Sequence, residues 1–229
     1  MNRSASLFSA QGTVFKVSAA GVETVLWNFG ASTDDGAQPL APLTQVADGT
    51  FYGTTFAGGI YNMGTVFKLT SAGVSILWNF GAPGDGGSPV GVLTQGSDGA
   101  FHGATGQGVG KGLYGTGFRI TAAGDEKVLW YFSDHFELGV FPQATLTLGK
   151  DGYFYGTTSA GESPSGGQGG IYRVTPDGIT TAFWAFTFPN KGPIEGVVEG
   201  SDGSFYGVTI GYQNGSGVTP PGHVYKLSF

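Results

Sequence analysis

Among the residues of the second half of the chain whose side chains could transfer protons, five depart from the pattern of the neighbouring segments: Asp134, His135, Glu137, Glu162 and Glu195. The first three lie together in the segment SDHFELG. Two acidic groups, or an acidic group with a histidine, can act as general acid and general base on a bond held between them, as in glycoside cleavage. We therefore interpret these five as candidate catalytic residues of a hydrolase that acts on a glycosidic or ester bond.

A second set of polar residues is suited to ligand binding. Asp34 and Asp35 lie in STDDGAQP, Asp85 lies in GDGGSP, and His102 stands where related segments have tyrosine. We predict that these four residues contact a ligand. For His102 the alternative is a core position, because a histidine within an apolar strand is more often buried than exposed to a ligand.

Metal and cofactor chemistry is not predicted. The chain has no cysteine and three histidines, and it contains no HxH, HExxH or calcium-loop motif. A GxSxG nucleophile motif is also absent from the sequence. If the protein is an enzyme, we expect a metal-independent hydrolase whose fold and activity do not change in EDTA.

These candidates are positioned by a tandem repeat of about 51 residues. The segment DGTFYG at 48–53 returns as DGAFHG at 98–103, DGYFYG at 151–156 and DGSFYG at 202–207. The motif TVFKV at 13–17 recurs four more times, and all four tryptophans occupy one repeat position. Each repeat therefore predicts four strands, A to D: A carries a leucine or valine, B is FYGTT, C is TVFK and D is LWNF.

Four consecutive antiparallel strands in a repeat of this length are typical of one blade of a β-propeller. We predict an all-β fold in which residues 1–229 form a single propeller domain. Strands A and D occur four times and strand C five times, and SASLFSA at 4–10 could be a fifth, short strand B. Five blades with incomplete terminal ones fit this count best, and a four-bladed ring is the alternative. Unpaired strand edges at the ends could support an oligomer.

One side of the predicted disc is favoured for function. The A–B and C–D connections have nearly constant length, whereas the B–C and D–A connections vary, and these two emerge on the same side of a meander. Glu195 belongs to that side. It occupies a strand A position that is otherwise Ala41, Gly91 or Ala144. Because a carboxylate near a channel costs stability without a partner or a task, we predict that Glu195 is functional, with a structural bond to a neighbouring blade as the alternative.

Other repeated residues are interpreted as structural. The strand C cations Lys16, Lys68, Arg119, Arg173 and Lys226 are expected to pair with turn aspartates or to lie over aromatic rings. Those aspartates precede glycine in the A–B turn, where Asp bonds its own backbone and Gly accepts positive φ. We expect all four tryptophans to be largely buried, since strand D has no polar face; stacking on sugar rings is the alternative.

Composition limits the partners. Only 11% of the residues are charged, against about 25% in an average domain, and the net charge is −6 with a pI near 4.8. Ten basic residues are too few for a nucleic-acid surface, so we expect no nucleic-acid partner. No run of about 18 apolar residues predicts membrane insertion, and MNRSASLFSAQG lacks the apolar core of a signal peptide.

The strings LTQGSDGAFHGATG, GTVFKLTSAG and LWNFGAPGDGGSP resemble the bacterial GloVer tandem repeat over nearly the whole chain. This resemblance implies a propeller displayed outside the cell or on its surface, and it implies no established catalytic residues. The pattern of the blade is also similar to NHL and gluconolactonase-like propellers, whose metal-binding Glu, Asn and Asp set is not found here.

Two functions follow from these observations. The first is a binding module that recognises a glycan, a protein or a small molecule through the B–C and D–A loops. The second is a hydrolase that uses Glu195 with the other acidic residues or His135. Convergence of these groups in one pocket would favour the hydrolase.

Overall fold

The computed structural model describes residues 11–110, 113–133, 139–142, 145–160, 169–186, 190–193, 195–211 and 222–228. Within these ranges every regular element is a β-strand, and every strand pairing is antiparallel. The all-β prediction is therefore confirmed for the described part of the chain. We number the successive sheets as blades 1 to 5.

In each blade the strands of repeat positions A to D lie side by side in that order, although strand A is divided into two segments in blades 2, 4 and 5 and strand B into two in blade 2. Blade 1 contains β1 (Thr13–Val17) and β2 (Glu23–Asn28), which are strands C and D of the repeat. The strands of blade 2 are β3 (Gly36–Ala37), β4 (Thr44–Gln45), β5 (Phe51–Thr55), β6 (Ala57–Gly58), β7 (Thr65–Thr70) and β8 (Gly73–Asn79). The strands of blade 3 are β9 (Gly86–Gln95), β10 (Phe101–Gly108), β11 (Leu113–Ile120) and β12 (Glu126–Ser133).

Blade 4 repeats the same order, and blade 5 has strands A to C among the described residues. The strands of blade 4 are β13 (Val140–Pro142), β14 (Thr147–Leu148), β15 (Phe154–Ala160), β16 (Gly170–Val174) and β17 (Thr180–Ala185). The strands of blade 5 are β18 (Asn190–Pro193), β19 (Val198–Glu199), β20 (Phe205–Gly211) and β21 (His223–Leu227).

Strand A is bent at a repeated position. Gln38, Ser88 and Phe141 all have positive φ, and each is followed by proline. A left-handed residue other than glycine is uncommon, and proline removes a backbone donor. Pro89 and Pro142 still lie opposite Thr105 and Thr158 of strand B, and the regular pairing is interrupted a few residues later. The bend divides strand A into two short segments in blades 2 and 4, namely β3 and β4, and β13 and β14.

Strand D carries a bulge that decides where its tryptophan points. In blade 1 Trp27 is opposite Val14 while Val25 is opposite Phe15, so Leu26 is an extra residue in strand D. Blades 2, 3 and 4 have a register shift at the same place. Because strand faces alternate, the extra residue places the tryptophan and the residue two before it on opposite faces of the blade.

Each blade has two faces: the trailing face points to the next blade in the chain, and the leading face points to the previous one. The trailing face of one blade packs on the leading face of the next. In blade 2 the trailing face presents Tyr52, Val66, Trp78 and Phe80, and the leading face presents Leu43, Phe51, Phe67 and Leu69. Aromatic pairs recur where the faces meet. They are Phe29–Phe67, Tyr52–Phe101, Phe80–Phe118, His102–Phe154, Phe132–Tyr172, Tyr155–Phe205 and Phe186–Tyr225, with ring centroids 4.1–5.4 Å apart.

A threonine after the leucine position links the innermost strands of successive blades. The hydroxyl of Thr44 donates to the carbonyl of Leu93, that of Thr94 donates to Leu146, and that of Thr147 donates to Val197. Strand A of each blade is thereby held directly against strand A of the next. In blade 5 the same position is Val198, which has no hydroxyl to donate.

The structural interpretation is confirmed for the repeated aspartates and for three of the five cations, and stays a prediction for Lys16 and Lys68. Asp48, Asp98, Asp151 and Asp202 each accept a bond from the amide two residues later, and the following glycines have φ between 77° and 86°. Arg119 forms an ion pair with Asp98 at 2.6 Å, and Lys226 forms one with Asp202 at 2.9 Å. Arg173 instead lies over the Tyr153 ring at 4.8 Å.

The expectation that all four tryptophans are buried is wrong. Trp130 is buried, Trp27 and Trp78 are half-buried, and Trp184 is 52% exposed. Burial of the tryptophan depends on contact with the next blade: the Trp27 ring lies beside Gly73 at the start of strand D of blade 2. No strand D of blade 5 is found among the described residues, so Trp184 lacks the corresponding cover.

Candidate functional site

The innermost strands line a cavity of about 410 Å³ that is open to solvent. Its wall is formed by strand A of four consecutive blades, together with the end of strand B in blade 2. The lining residues are Leu40, Ala41, Pro42, Thr54, Phe56, Pro89, Val90, Gly91, Val92, Thr145 and Glu195. Because residues from blades 2 to 5 meet at this one space, it lies where the repeat units converge.

The cavity belongs to the side of the disc that carries the B–C and D–A loops. Thr54 and Phe56 lie where strand B of blade 2 ends before the B–C loop, and residues 40–42 follow the D–A loop along strand A. The bend at Gln38 and Ser88 precedes the segments that line the cavity in blades 2 and 3. The predicted functional face and the cavity therefore coincide.

Glu195 lines this cavity with two other members of its repeat position, Ala41 and Gly91. Its side chain is exposed, and among the described residues its carboxylate has no hydrogen-bond or ion-pair partner. Its backbone carbonyl accepts a bond from Thr157 Oγ1 at 3.1 Å. The described link to blade 4 thus uses the backbone of residue 195 and not its carboxylate.

The chemistry available in the cavity is that of a binding pocket with one acidic group. Thr54 and Thr145 add hydroxyls, although Thr145 Oγ1 already accepts a bond from the Val92 amide at 2.8 Å. Most of the wall is apolar, and Phe56 supplies an aromatic side chain. Pockets of 300–1,000 Å³ with apolar walls and few polar groups are typical small-molecule sites.

Four of the five candidate catalytic residues, Asp134, His135, Glu137 and Glu162, lie outside the described residues. The structure therefore places Glu195 in the cavity and leaves its pairing with the others a prediction. Among the described residues no group of three or more His, Asp or Glu side chains is arranged to hold a metal ion.

The aspartates predicted to bind a ligand have different surroundings. Asp34 is exposed and accepts a bond from Thr33 Oγ1 at 3.2 Å. Asp35 is buried, and its carboxylate accepts bonds from the amides of Gly30, Ala31 and Gly36 within its own loop.

Asp85 is buried in the corresponding loop of the next blade and accepts bonds from Gly81, Gly86 and the Trp78 Nε1. Burial raises the pKa of its carboxyl, and these donors offset part of the rise. Asp35 and Asp85 thus stabilise the D–A loops, and ligand contact by these two remains a prediction.

His102 is a core residue. It is buried, and its ring stacks on Phe154 with centroids 4.2 Å apart, as Tyr52 and Tyr155 do on their partners. Burial lowers its pKa to about 4, while Asp98 acts in the opposite direction. Its Nε2 has no hydrogen-bond partner within the part of the chain that the structure describes. The core alternative describes this residue better than contact with a ligand.

Glu126 is a half-buried acid that sequence reasoning missed. It begins strand D of blade 3, and its Oε1 is buried without a hydrogen-bond partner among the described residues. Burial raises the pKa of this carboxyl to about 8, and Asp85 adds to the rise. The signal was present in the sequence, because ETVLW in blade 1 and EKVLW in blade 3 place Glu23 and Glu126 at one repeat position.

The geometry and the comparisons with known proteins define the class of fold. A calcium-binding regucalcin of Agrobacterium tumefaciens strain C58 is 14% identical with a TM-score of 0.55, over 95% of this chain and 70% of that one. A protein of Bacteroides uniformis assigned as a 6-phosphogluconolactonase is 14% identical with a TM-score of 0.51, over 94% and 67%. A protein assigned as a gluconolactonase is 11% identical with a TM-score of 0.56, over 96% and 68%.

These likenesses show a β-propeller-like fold, and this chain spans about two thirds of the length of those structures. A family model, the Gloeobacter/Verrucomicrobia repeat, matches residues 2–220, so the chain belongs to that family. The resemblance to GloVer-type repeats is thereby confirmed. No curated protein matches the chain in sequence. None of the described elements is a helix long and apolar enough to cross a membrane.

Proposed function

We propose that this protein is a β-propeller binding module that takes a small polyhydroxylated ligand, such as the end of a glycan, into the cavity between its innermost strands. The observation that carries the proposal is the exposed Glu195 carboxylate, which has no partner among the described residues, in a cavity of about 410 Å³ whose wall is mostly apolar. A sugar presents an apolar ring face and several hydroxyl donors, which Phe56 and the carboxylate are suited to receive.

Five blades in a single domain are part of this proposal. Strand β20 pairs with β21 of its own blade, so blade 5 has its own strand C and does not complete blade 1. This pairing favours the five-bladed arrangement over the four-bladed alternative. Residues from blades 2 to 5 lining one cavity support a common axis for the array.

The test is binding of mono- and oligosaccharides by calorimetry, after an array of immobilised glycans has identified a ligand. Glu195→Gln keeps the shape of the side chain and removes its charge. We expect it to weaken binding about 10-fold or more, the scale of a hydrogen bond to a charged group. Phe56→Ala should also weaken binding, because it removes the aromatic wall.

Asp177→Asn is the matched control. Asp177 is an exposed carboxylate in the C–D turn of blade 4, on the other side of the disc, where it accepts a bond from Thr175 Oγ1. It should bind like the unmodified protein. Equal affinities for the unmodified protein, Glu195→Gln and Phe56→Ala would show that the ligand lies elsewhere.

A hydrolase is the second candidate, and the likeness to structures assigned as gluconolactonases favours a lactone as its first test substrate. Turnover of glucono-lactone that drops about 100-fold in Glu195→Gln, with an unchanged melting temperature, would assign general acid or base catalysis to this residue. Binding without turnover in the unmodified protein would leave the binding module as the function.

A further inference from the structure

Two apolar faces at the ends of the blade array are exposed, although the same repeat positions are buried elsewhere. On the leading face of blade 1, Phe15 is 55% exposed, whereas Phe67 and Phe118 at the same position in blades 2 and 3 are fully buried. Val17 and Val25 are exposed beside it. Single exposed apolar residues are ordinary, but a contiguous set on one sheet face indicates an interaction surface.

The trailing face of blade 5 shows the same contrast. Val224 is 79% exposed, whereas Val66 and Ile171 at its repeat position are buried. Tyr206 and Val208 on strand B of blade 5 are exposed as well. Val198, at the position of the linking threonines, is 68% exposed.

These two faces are complementary because the interfaces between blades already join such faces. At each of the four interfaces between the five blades, the trailing face of one blade packs on the leading face of the following blade, and the same repeat positions meet each time. Blade 5 presents a trailing face and blade 1 presents a leading face.

We propose that a second copy of this chain docks head to tail, with the trailing face of blade 5 in one copy packed on the leading face of blade 1 in the other. Within one chain the two faces are exposed, so they do not cover each other. A head-to-tail contact is heterologous and leaves one face free on each end of a pair, so it continues to larger species or closes into a ring. This inference does not depend on the cavity or on its ligand.

The experiment measures the mass of the full chain by light scattering, from micromolar to hundreds of micromolar protein. The unmodified protein should rise from 23.5 kDa to multiples of that mass. Phe15→Glu blocks the leading face of blade 1, and Val224→Glu blocks the trailing face of blade 5. Each of these variants alone should stop at a lower mass than the unmodified protein, because a single blocked end leaves no complementary pair of faces.

Mixing the two variants gives the decisive result. Phe15→Glu retains the trailing face and Val224→Glu retains the leading face, so a mixture should form a one-to-one complex of twice the monomer mass and no larger species. Ile60→Glu replaces an exposed apolar residue in the B–C loop of blade 2, outside both faces, and should assemble as the unmodified protein does.

Three results would overturn the proposal: an unmodified protein that stays at 23.5 kDa throughout, single variants that assemble normally, or a mixture that gives no complex. If two leading faces or two trailing faces paired instead, the mixture of the two variants would not form the one-to-one complex. Circular dichroism checks that each variant is folded, and Val17→Glu with Val208→Glu repeats the test at neighbouring positions.

Discussion

The interface between blades 2 and 3 and the outer face of blade 1 are built from the same repeat positions, yet their side chains have opposite surroundings. Phe118 and Ile120 on the leading face of blade 3 are fully buried, whereas Phe15 and Val17 on that face of blade 1 are exposed. Their strands pair with strand D in the same register. The difference therefore comes from the neighbouring blade and not from the strand itself.

This contrast shows that a blade of this family is not a self-sufficient unit. One blade is a single sheet whose two apolar faces need a blade on each side, as in other stacked repeats. The aromatic pairs and the threonine bonds between strands A lie across blades, so each core cluster is complete only when two blades meet.

The largest expected effect comes from removing a phenylalanine ring at one repeat position in two blades, Phe118 in blade 3 and Phe15 in blade 1. Phe118→Ala opens a cavity in the core against Phe80 and should lower the free energy of unfolding by about 3–5 kcal/mol. Phe15→Ala should cost less than about 1 kcal/mol, since the ring is already exposed. Urea unfolding followed by tryptophan fluorescence at low protein concentration measures both. Equal losses would show that the leading face of blade 1 is covered in the monomer.

An intermediate effect is expected from the pair Glu126 and Glu23, which occupy one repeat position. In the folded state the pKa of Glu126 is raised from 4.5 to about 8 by burial. The unfolded chain therefore loses its proton first, so the stabilising contribution is complete below about pH 4.5 and is lost as the pH rises to about 8.

Glu126→Gln should remove this loss and raise the free energy of unfolding near pH 8.5 by about 1 kcal/mol or more. Glu23→Gln is the matched control, because Glu23 is exposed on blade 1 and should have little influence at any pH. Unfolding by urea between pH 4 and 9 measures both variants. A pH dependence that Glu126→Gln leaves unchanged would place the titrating group elsewhere.

The repeat made much of this architecture predictable from sequence. Local chemistry determined the Asp–Gly turns, since Asp98 and Gly99 need only their own backbone, and repeat spacing placed Ala41, Gly91 and Glu195 together. Burial was less predictable, because it depends on the next blade. Trp184 and Trp130 share a position and sequence surroundings, but the first is exposed and the second is buried.

The candidate site was predictable only in part, for related reasons. The unusual charge at Glu195 was visible because the repeat supplied Ala and Gly for comparison. The contribution of Phe56 and Thr54 depends on how strand B of blade 2 meets the bend in strand A, which no residue pattern specified. The loop-stabilising role of Asp35 and Asp85 required the positions of backbone amides that sequence does not give.

The smallest expected effect concerns the strand B position that is His102 in blade 3 and Tyr206 in blade 5. Burial lowers the pKa of His102 to about 4, below its usual 6.5. As the pH falls from about 6.5 to 4 the unfolded chain takes up a proton first, so this residue lowers stability over that window.

His102→Tyr should remove the loss. The new hydroxyl should also bond Asp98, as Tyr155 bonds Asp151 at 2.6 Å, and Asp202 shows that one such carboxylate can accept from both a tyrosine and a cation. The expected gain at pH 5 is about 0.5–1.5 kcal/mol, the net value of one hydrogen bond. Tyr206→His is the reciprocal control on the exposed end face, where little pH dependence should appear. Melting temperatures at pH 5 and pH 7.5 decide the outcome: similar acid sensitivity in His102→Tyr and the unmodified protein would show that the buried histidine does not titrate on unfolding.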